Sequence, residues 1–534
     1  MSAYRVLDRP AAPSVADRCR WDRRGAWALG WLAAAGWAGA FPVVSALATH
    51  RTWGLCAAVG YVLAAAAVMW LPGRRARAAS VVLALAGAVV VPLLLLVLSG
   101  AQQSEVGVIE RSMTQLLATG SPYLPDPQGL ADYNPYLPGM ALLGLPRAVL
   151  GEGTWATAWL GDARMWCGAV FLGCLAAGRA VLRTAGRGPY GFPGRGAYGR
   201  PFGAYGTPAG LSYGSSSRVP SYGLGVAALI ASPVVALPLC VSGVDLPLTG
   251  VCCLALAFAA RGRVLGAGVS LALACSFKWT AWPALPVALA VLVCLYGWRA
   301  AARCLALAGA GAAVLIVPSA LLTPAAMVEH VLAFPTGRGA VPTPASSPLP
   351  GHLLAGLGTG GWLAAVVLLG AAALAVAVSL VVRRPAGVVA GADRLALGLT
   401  AAFLLAPAGR FGYLALPVVL VVWSRLASES WGRIRPGRGV VPPDAQGVEG
   451  YRSIGGKVAS ATHVGGAGAC AAALAGARRT PEAVSAPAHS FAGPPFSAPS
   501  HGRRSSRRVR PAAVVGSVPQ APVRAAQPPR PKGN

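Results

Sequence analysis

The sequence is poor in charge. Of 534 residues only 11% are charged and 55% are hydrophobic, with a mean hydropathy of +0.59, which excludes an ordinary soluble domain. Acid is scarcer still: 16 Asp and Glu stand against 45 Lys and Arg, for a net charge of +29. Lysine is nearly missing, occurring only as Lys278, Lys457 and Lys532. The basic excess is therefore arginine, placed in loops and in the C-terminal tail, where the positive-inside rule accounts for it better than a nucleic-acid surface. The expected partner is a lipid bilayer, and nucleic acid is not expected. C-x-x-C spacing is also missing. Most of the eleven cysteines, among them Cys252, Cys253, Cys275 and Cys294, lie inside apolar runs, so neither a disulfide framework nor a metal site is implied. There is no Walker loop and no strand-to-helix dinucleotide fingerprint, which excludes the common soluble nucleotide-binding sites.

What remains is a series of apolar runs punctuated by arginine. Residues 1–25 are polar, and Arg18, Arg20, Arg23 and Arg24 precede the first run at 26–48. That run is too long for a signal-peptide core and further runs follow at once, so cleavage after SALA is not expected. Runs at 53–71 and 79–100 follow, with Arg74, Arg75 and Arg77 between them marking the cytoplasmic side. Later runs at 164–182, 224–241, 246–260, 264–277, 282–298, 305–322, 353–382, 395–407 and 411–423 complete an all-α polytopic membrane protein of about 12 spans. By parity both termini are cytoplasmic, residues 26–427 form the membrane domain, and 101–162 and 323–352 are extracytoplasmic loops. The stretch 137–150 is apolar but short and carries Pro138 and Pro146, so it reads as an interfacial or re-entrant helix. Residues 183–223 are low-complexity Arg, Gly and Tyr, and 428–534 are Pro, Ala, Gly, Ser and Arg without an apolar period. Both read as disordered and cytoplasmic, and as dispensable.

The stretch 101–139, AQQSEVGVIERSMTQLLATGSPYLPDPQGLADYNPYLPG, concentrates acidic residues just past a long apolar helix. Glu105 comes first, where a helix leaves the bilayer, and Glu110, Arg111, Asp126 and Asp132 follow. An ionisable group at that boundary is a functional candidate. GSPY and YNPYLPG between them suit an ordered loop, because proline fixes φ while tyrosine offers a ring and a hydroxyl.

This order resembles the first extracytoplasmic loop of the GT-C membrane glycosyltransferases, and most of all glycosyltransferase family 87: an acid just after a membrane helix, an amphipathic stretch, G-x-P-Y at Gly120, Pro122 and Tyr123, then an aromatic-proline element at Tyr133, Pro135, Tyr136 and Pro138. The chain departs from the family in having Glu where Asp is usual and YNPYLP where YPP is usual. SFKWTAWP around Lys278 and PAGRFGYLALP around Arg410 also resemble family elements. The resemblance implies transfer of a sugar such as mannose from a polyprenyl-phosphate donor to an external glycan or glycolipid acceptor in the cell envelope. Such a reaction needs a general base and cations for the departing phosphate. Glu105 is the expected base, and Lys278 and Arg410 the expected cations. Glu110, Arg111, Tyr123, Tyr133, Tyr136, Arg164 and Asp245 are the further substrate-binding candidates. Asp245 in SGVDLP also suits a helix start. It leaves room for a divalent cation, though His330 and His352 are too far apart in sequence to be read as a metal pair. Asp393 and Arg394 are expected to pair or face solvent at the cytoplasmic edge. A transporter or flippase is the alternative reading, and a non-catalytic scaffold a third. Against the transporter, charges gather at one face and no half-to-half repeat is visible.

Overall fold

The computed structural model describes residues 15–151, 153–184 and 222–429. Glu152, the low-complexity loop beyond residue 184 and the basic tail lie outside the described residues. Among the described residues the chain is helical, the one β feature being an isolated bridge between Ser346 and Gly409. Helices α1 (Val15–Val44), α2 (Ala48–Trp70) and α3 (Gly73–Leu85) come first, and α3 runs through a π turn at Ala86–Val90 into α4 (Val91–Leu98). The amphipathic α5 (Ser104–Thr119) is followed by short α6 (Leu145–Leu150) and α7 (Trp155–Gly161), and by the long α8 (Ala163–Arg183). Then come α9 (Tyr222–Ala231), α10 (Pro233–Val241), α11 (Leu246–Ala260), α12 (Val264–Phe277), α13 (Ala284–Tyr296) and α14 (Trp298–Leu322). The last five are α15 (Pro324–Val328), α16 (Pro350–Ala355), α17 (Thr359–Val382), α18 (Val388–Leu405) and α19 (Ala415–Glu429).

Nine of the described helical stretches are long and apolar enough to cross a membrane, and α9–α10, bent by 62°, makes a tenth if counted as one span. The remaining two of the twelve expected spans are α11 and α12. They form, but with 15 and 14 residues they reach only about 22 Å and 21 Å, short of an apolar layer of about 30 Å. Most of α11 and of the C-terminal two-thirds of α12 is buried, including Cys252, Cys253, Ala255, Leu271 and Ala274. A helix apolar all round belongs in a core, and α11 is enclosed by protein, while α12 keeps Leu265 and Val269 exposed.

Local breaks in the helices are tied down by side chains. The π turn frees carbonyls, and Ala88 O accepts a hydrogen bond from Trp53 Nε1 at 2.8 Å, while Cys240 Sγ approaches Ala88 O and Val89 O at 3.4 Å each. A Cβ at Gly60 or Gly87 would run into the other's backbone, so the two glycines let α2 and the π turn pack backbone to backbone. At the α9–α10 break, Pro233 brings no amide hydrogen, and Tyr61 donates its hydroxyl to Ala231 O at 2.6 Å.

The stretch 137–150, expected as a re-entrant or interfacial helix, is a 3-10 turn at Pro138–Gly144 leading into α6. The 3-10 turn is mostly buried and Leu137 N donates to Phe277 O at 2.9 Å. Gly139 is required there: a Cβ would collide with the Ser276 side chain and carbonyl. Gly120, with φ of 76°, closes α5 in the left-handed conformation that a residue without a Cβ adopts at least cost.

Candidate functional site

Four charged residues from four separate parts of the chain meet at one end of the bundle. Glu105, in the first turn of α5, forms an ion pair with the Arg410 guanidinium just before α19. Asp245, at the start of α11, pairs with Lys278 Nζ at the end of α12, 2.8 Å away. Asp245 makes no side-chain cap on α11, so its position serves the ion pair and not the helix start. The Lys278 ammonium lies 5.4 Å from the Tyr136 ring centre and 4.6 Å from that of Tyr413, within the range of cation–π attraction.

Electrostatics join these pairs into one cluster. Burial works against the Lys278 charge, but Asp245 outweighs it and holds the ammonium above its ordinary range, with Tyr413 adding to the effect. Burial likewise opposes the Arg410 charge and Glu105 overcomes it. The Tyr136 phenol is pushed well up by burial, with Glu105 and Asp245 reinforcing the shift. Both cations therefore stay charged at neutral pH. The cluster is balanced, two carboxylates against two cations, and it is not sealed: the Arg410 and Asp245 side chains keep 33% and 32% of their exposure.

Glu105 is aimed by its surroundings. Gln103 N, just before α5, donates to Val241 O at 3.3 Å, and Arg164 Nη1 donates to Ala101 O at 2.9 Å and Cys240 O at 3.1 Å. These bonds satisfy the last carbonyls of α10 and fix the strand of chain that delivers Glu105. The Gln103 amide also meets His50 Nε2 at 2.9 Å, and Ser45 Oγ meets His50 Nδ1 at 3.2 Å. Sequence reasoning missed His50, since one histidine at a helix start carries no spacing signal. It also passed over Tyr413, although Tyr413 stands three positions after Arg410 on the helical turn that brings both to the cluster.

The other candidates are placed elsewhere. Arg164 is fully buried, with its Nε and Nη2 on the Asp162 carboxylate at 2.6–3.2 Å, so the guanidinium braces the fold. Glu110 sits five positions after Glu105, about 140° round the helix, and turns to Arg147 Nε at 3.3 Å and Ala163 N at 2.9 Å. Burial pushes the Glu110 carboxyl up, against the Ala163 amide and Arg147. Arg111 donates to Ala131 O and lines, with Gln102, Thr114, Gln115 and Arg147, an open groove of about 550 Å³ on the side of α5 away from Glu105.

The aromatic-proline loop is a clamp. Tyr123 donates its hydroxyl to Tyr136 O at 2.9 Å. Tyr133 donates to Glu329 Oε1 at 3.0 Å and stacks on Phe334 with ring centres 4.2 Å apart. Asn134 is its hub, bonding Ser112 Oγ, Pro122 O and the Tyr136 amide through its side chain, while its own amide donates to His330 Nδ1 at 2.8 Å. His330 Nε2 in turn donates to Leu124 O at 2.9 Å, and burial holds its pKa down, so the imidazole is neutral. The segments 101–162 and 323–352 are in direct contact here. Tyr136 alone of the three tyrosines reaches the charge cluster. His352 lies apart, bonded to Pro407 O at 3.0 Å, and among the described residues no group of three or more His, Cys, Asp or Glu is placed to hold a metal ion.

The described residues define a helical protein with nine stretches long and apolar enough to cross a membrane and a solvent-reaching charged site at one end of its bundle. No family model, curated protein or solved structure matches the chain.

Proposed function

We propose that the protein is a membrane glycosyltransferase of the GT-C type that moves a sugar from a polyprenyl-phosphate donor to an extracytoplasmic acceptor. The observation that carries this reading is the meeting of Glu105, Arg410, Asp245 and Lys278 around Tyr136 and Tyr413. In an inverting reaction Glu105 takes the proton of the acceptor hydroxyl as its oxygen bonds to the anomeric carbon. The bond from that carbon to the phosphate oxygen breaks, and polyprenyl phosphate leaves with the electron pair. Arg410 and Lys278 balance the charge that develops on the departing phosphate. Asp245 and Tyr136 orient Lys278.

The resting ion pair has a chemical consequence. In the resting pair the Arg410 guanidinium occupies a Glu105 carboxylate oxygen. An incoming phosphate competes for Arg410 and Lys278 and so releases Glu105 for the acceptor proton. The carboxylate is then open to the acceptor only with donor bound, which limits wasteful hydrolysis. On this reading the twelve-span topology holds, α11 and α12 being short spans flanked by protein, and the cluster faces outward. Incubating purified protein with labelled polyprenyl-phosphate sugars and a panel of acceptors tests it: transfer that requires Glu105 supports the reading, and the absence of transfer across donor and acceptor classes counts against it.

One observation favours the alternative, a transporter or flippase. The α9–α10 pair bends by 62°, as the discontinuous helices of transporters do. Its C-terminal carbonyls are taken by Arg164 and Gln103, however, and so do not line an ion path. Flux of a labelled lipid-linked sugar across vesicles, in the absence of acceptor, separates the two.

A further inference from the structure

Between α18 and α19 an apolar groove of about 380 Å³ runs from Pro417, in the first turn of α19, toward Asp393. Ala396, Leu397 and Thr400 form one wall and Val418, Val421 and Val422 the other. Asp393 and Arg425, one turn beyond these walls, close its end with a two-point ion pair: Arg425 Nη1 to Asp393 Oδ1 at 2.7 Å and Nη2 to Oδ2 at 3.1 Å. The pair was expected at a cytoplasmic edge, and Asp393 finds its partner in Arg425 instead of the adjacent Arg394.

We infer that this groove is a binding site for one phospholipid whose headgroup carries both a phosphate and a primary ammonium, as in phosphatidylethanolamine, with an acyl chain between α18 and α19. Three features lead there. Both helices are long and apolar enough to cross a membrane, so hydrocarbon is the natural occupant of a groove walled by Leu, Val and Ala. Both charged side chains remain reachable, at 46% exposure for Arg425 and 38% for Asp393, and an exposed pair of this kind contributes little to stability and is readily exchanged. The signs also match. A phosphate meets the guanidinium in the fork geometry it favours, and an ammonium meets the carboxylate. A purely anionic headgroup would set its charge against Asp393, and a choline headgroup has no N–H to donate. The inference does not depend on the glycosyltransferase reading, because the Asp393–Arg425 pair that would hold the headgroup lies toward the other end of α19 from Arg410.

The test uses the full chain in nanodiscs of phosphatidylcholine doped with phosphatidylethanolamine or phosphatidylglycerol, with retained lipid counted by native mass spectrometry and melting followed in parallel. The wild type should retain one phosphatidylethanolamine in preference to phosphatidylglycerol. Asp393→Asn should remove that preference, lowering phosphatidylethanolamine occupancy about five-fold, roughly the effect of one charge contact at a lipid surface. Leu397→Trp fills the groove from its exposed wall and should abolish retention of either lipid with the ion pair intact. Equal retention of the two lipids by the wild type would overturn the headgroup assignment, and undiminished retention in Leu397→Trp would overturn the groove.

Discussion

Arg164→Ala is expected to be the most destabilising single change near the site, through the fold and not through substrate. The guanidinium has no solvent exposure and its partner Asp162 only 5%. Its removal strands a buried carboxylate and takes a hydrogen bond from Ala101 O and another from Cys240 O. Breaking a buried ion pair from one side costs about 3–5 kcal/mol. At about 2 °C per kcal/mol for a chain of this size, thermal unfolding in detergent should come about 6–10 °C early. Arg164→Lys keeps the charge but not the fork and should recover only part of the loss. Asp162→Asn combined with Arg164→Leu should melt above Arg164→Ala, because no unpaired charge is left in the interior. Two outcomes together would refute the reasoning: Arg164→Ala melting within about 1 °C of wild type, and the double variant melting lowest of all.

Three further outcomes follow from the clamp. Gly139→Ala should destabilise by about 1–3 kcal/mol through collision with Ser276, and Ser276→Gly in the same chain should restore part of the melting temperature. Tyr133→Phe should cost about 0.5–1.5 kcal/mol, the worth of its bond to Glu329, read as an earlier melt with the Phe334 stacking kept. His330 has a pKa lowered by burial, so the stability it contributes is present above the ordinary imidazole value of about 6.5 and is lost as pH falls below it. Protonated Nδ1 would face the Asn134 amide donor-to-donor. Hydrogen exchange across residues 121–136, corrected for intrinsic rates, should therefore quicken between about pH 6.5 and 5, and exchange that stays flat over that range would contradict the neutral-histidine clamp.

The helices were legible from apolar runs and arginine punctuation, and each of the twelve runs forms helix. Which runs are long enough to cross a membrane was less so: composition does not tell α11 and α12 from lipid-facing spans, and their lengths do. Glu105, Asp245, Lys278 and Arg410 could be picked out singly because each ends an apolar run. Their pairing could not, since it joins positions up to 305 apart through the packing of α5, α11, α12 and α19. Glu110 and Arg164 stood in the sequence among the substrate-binding candidates beside Glu105. Their burial is decided by Arg147 and Asp162, partners that local pattern does not predict. The clamp's hub, Asn134, lay in the quoted YNPYLPG element, but only the fold brings His330 to its amide.

The measurement closest to the central claim compares Glu105→Gln and Glu110→Gln in a transfer assay with polyprenyl-phosphate sugar, donor binding recorded alongside. Loss of the Glu105 charge should lower turnover by about 10²–10⁴-fold, the usual worth of a general base, with donor binding kept or strengthened as Arg410 is freed. Glu110→Gln should change melting temperature more than turnover. Full activity in Glu105→Gln with loss in Glu110→Gln would move the site to the other side of α5, and full activity in both would contradict the assignment of this cluster to glycosyl transfer.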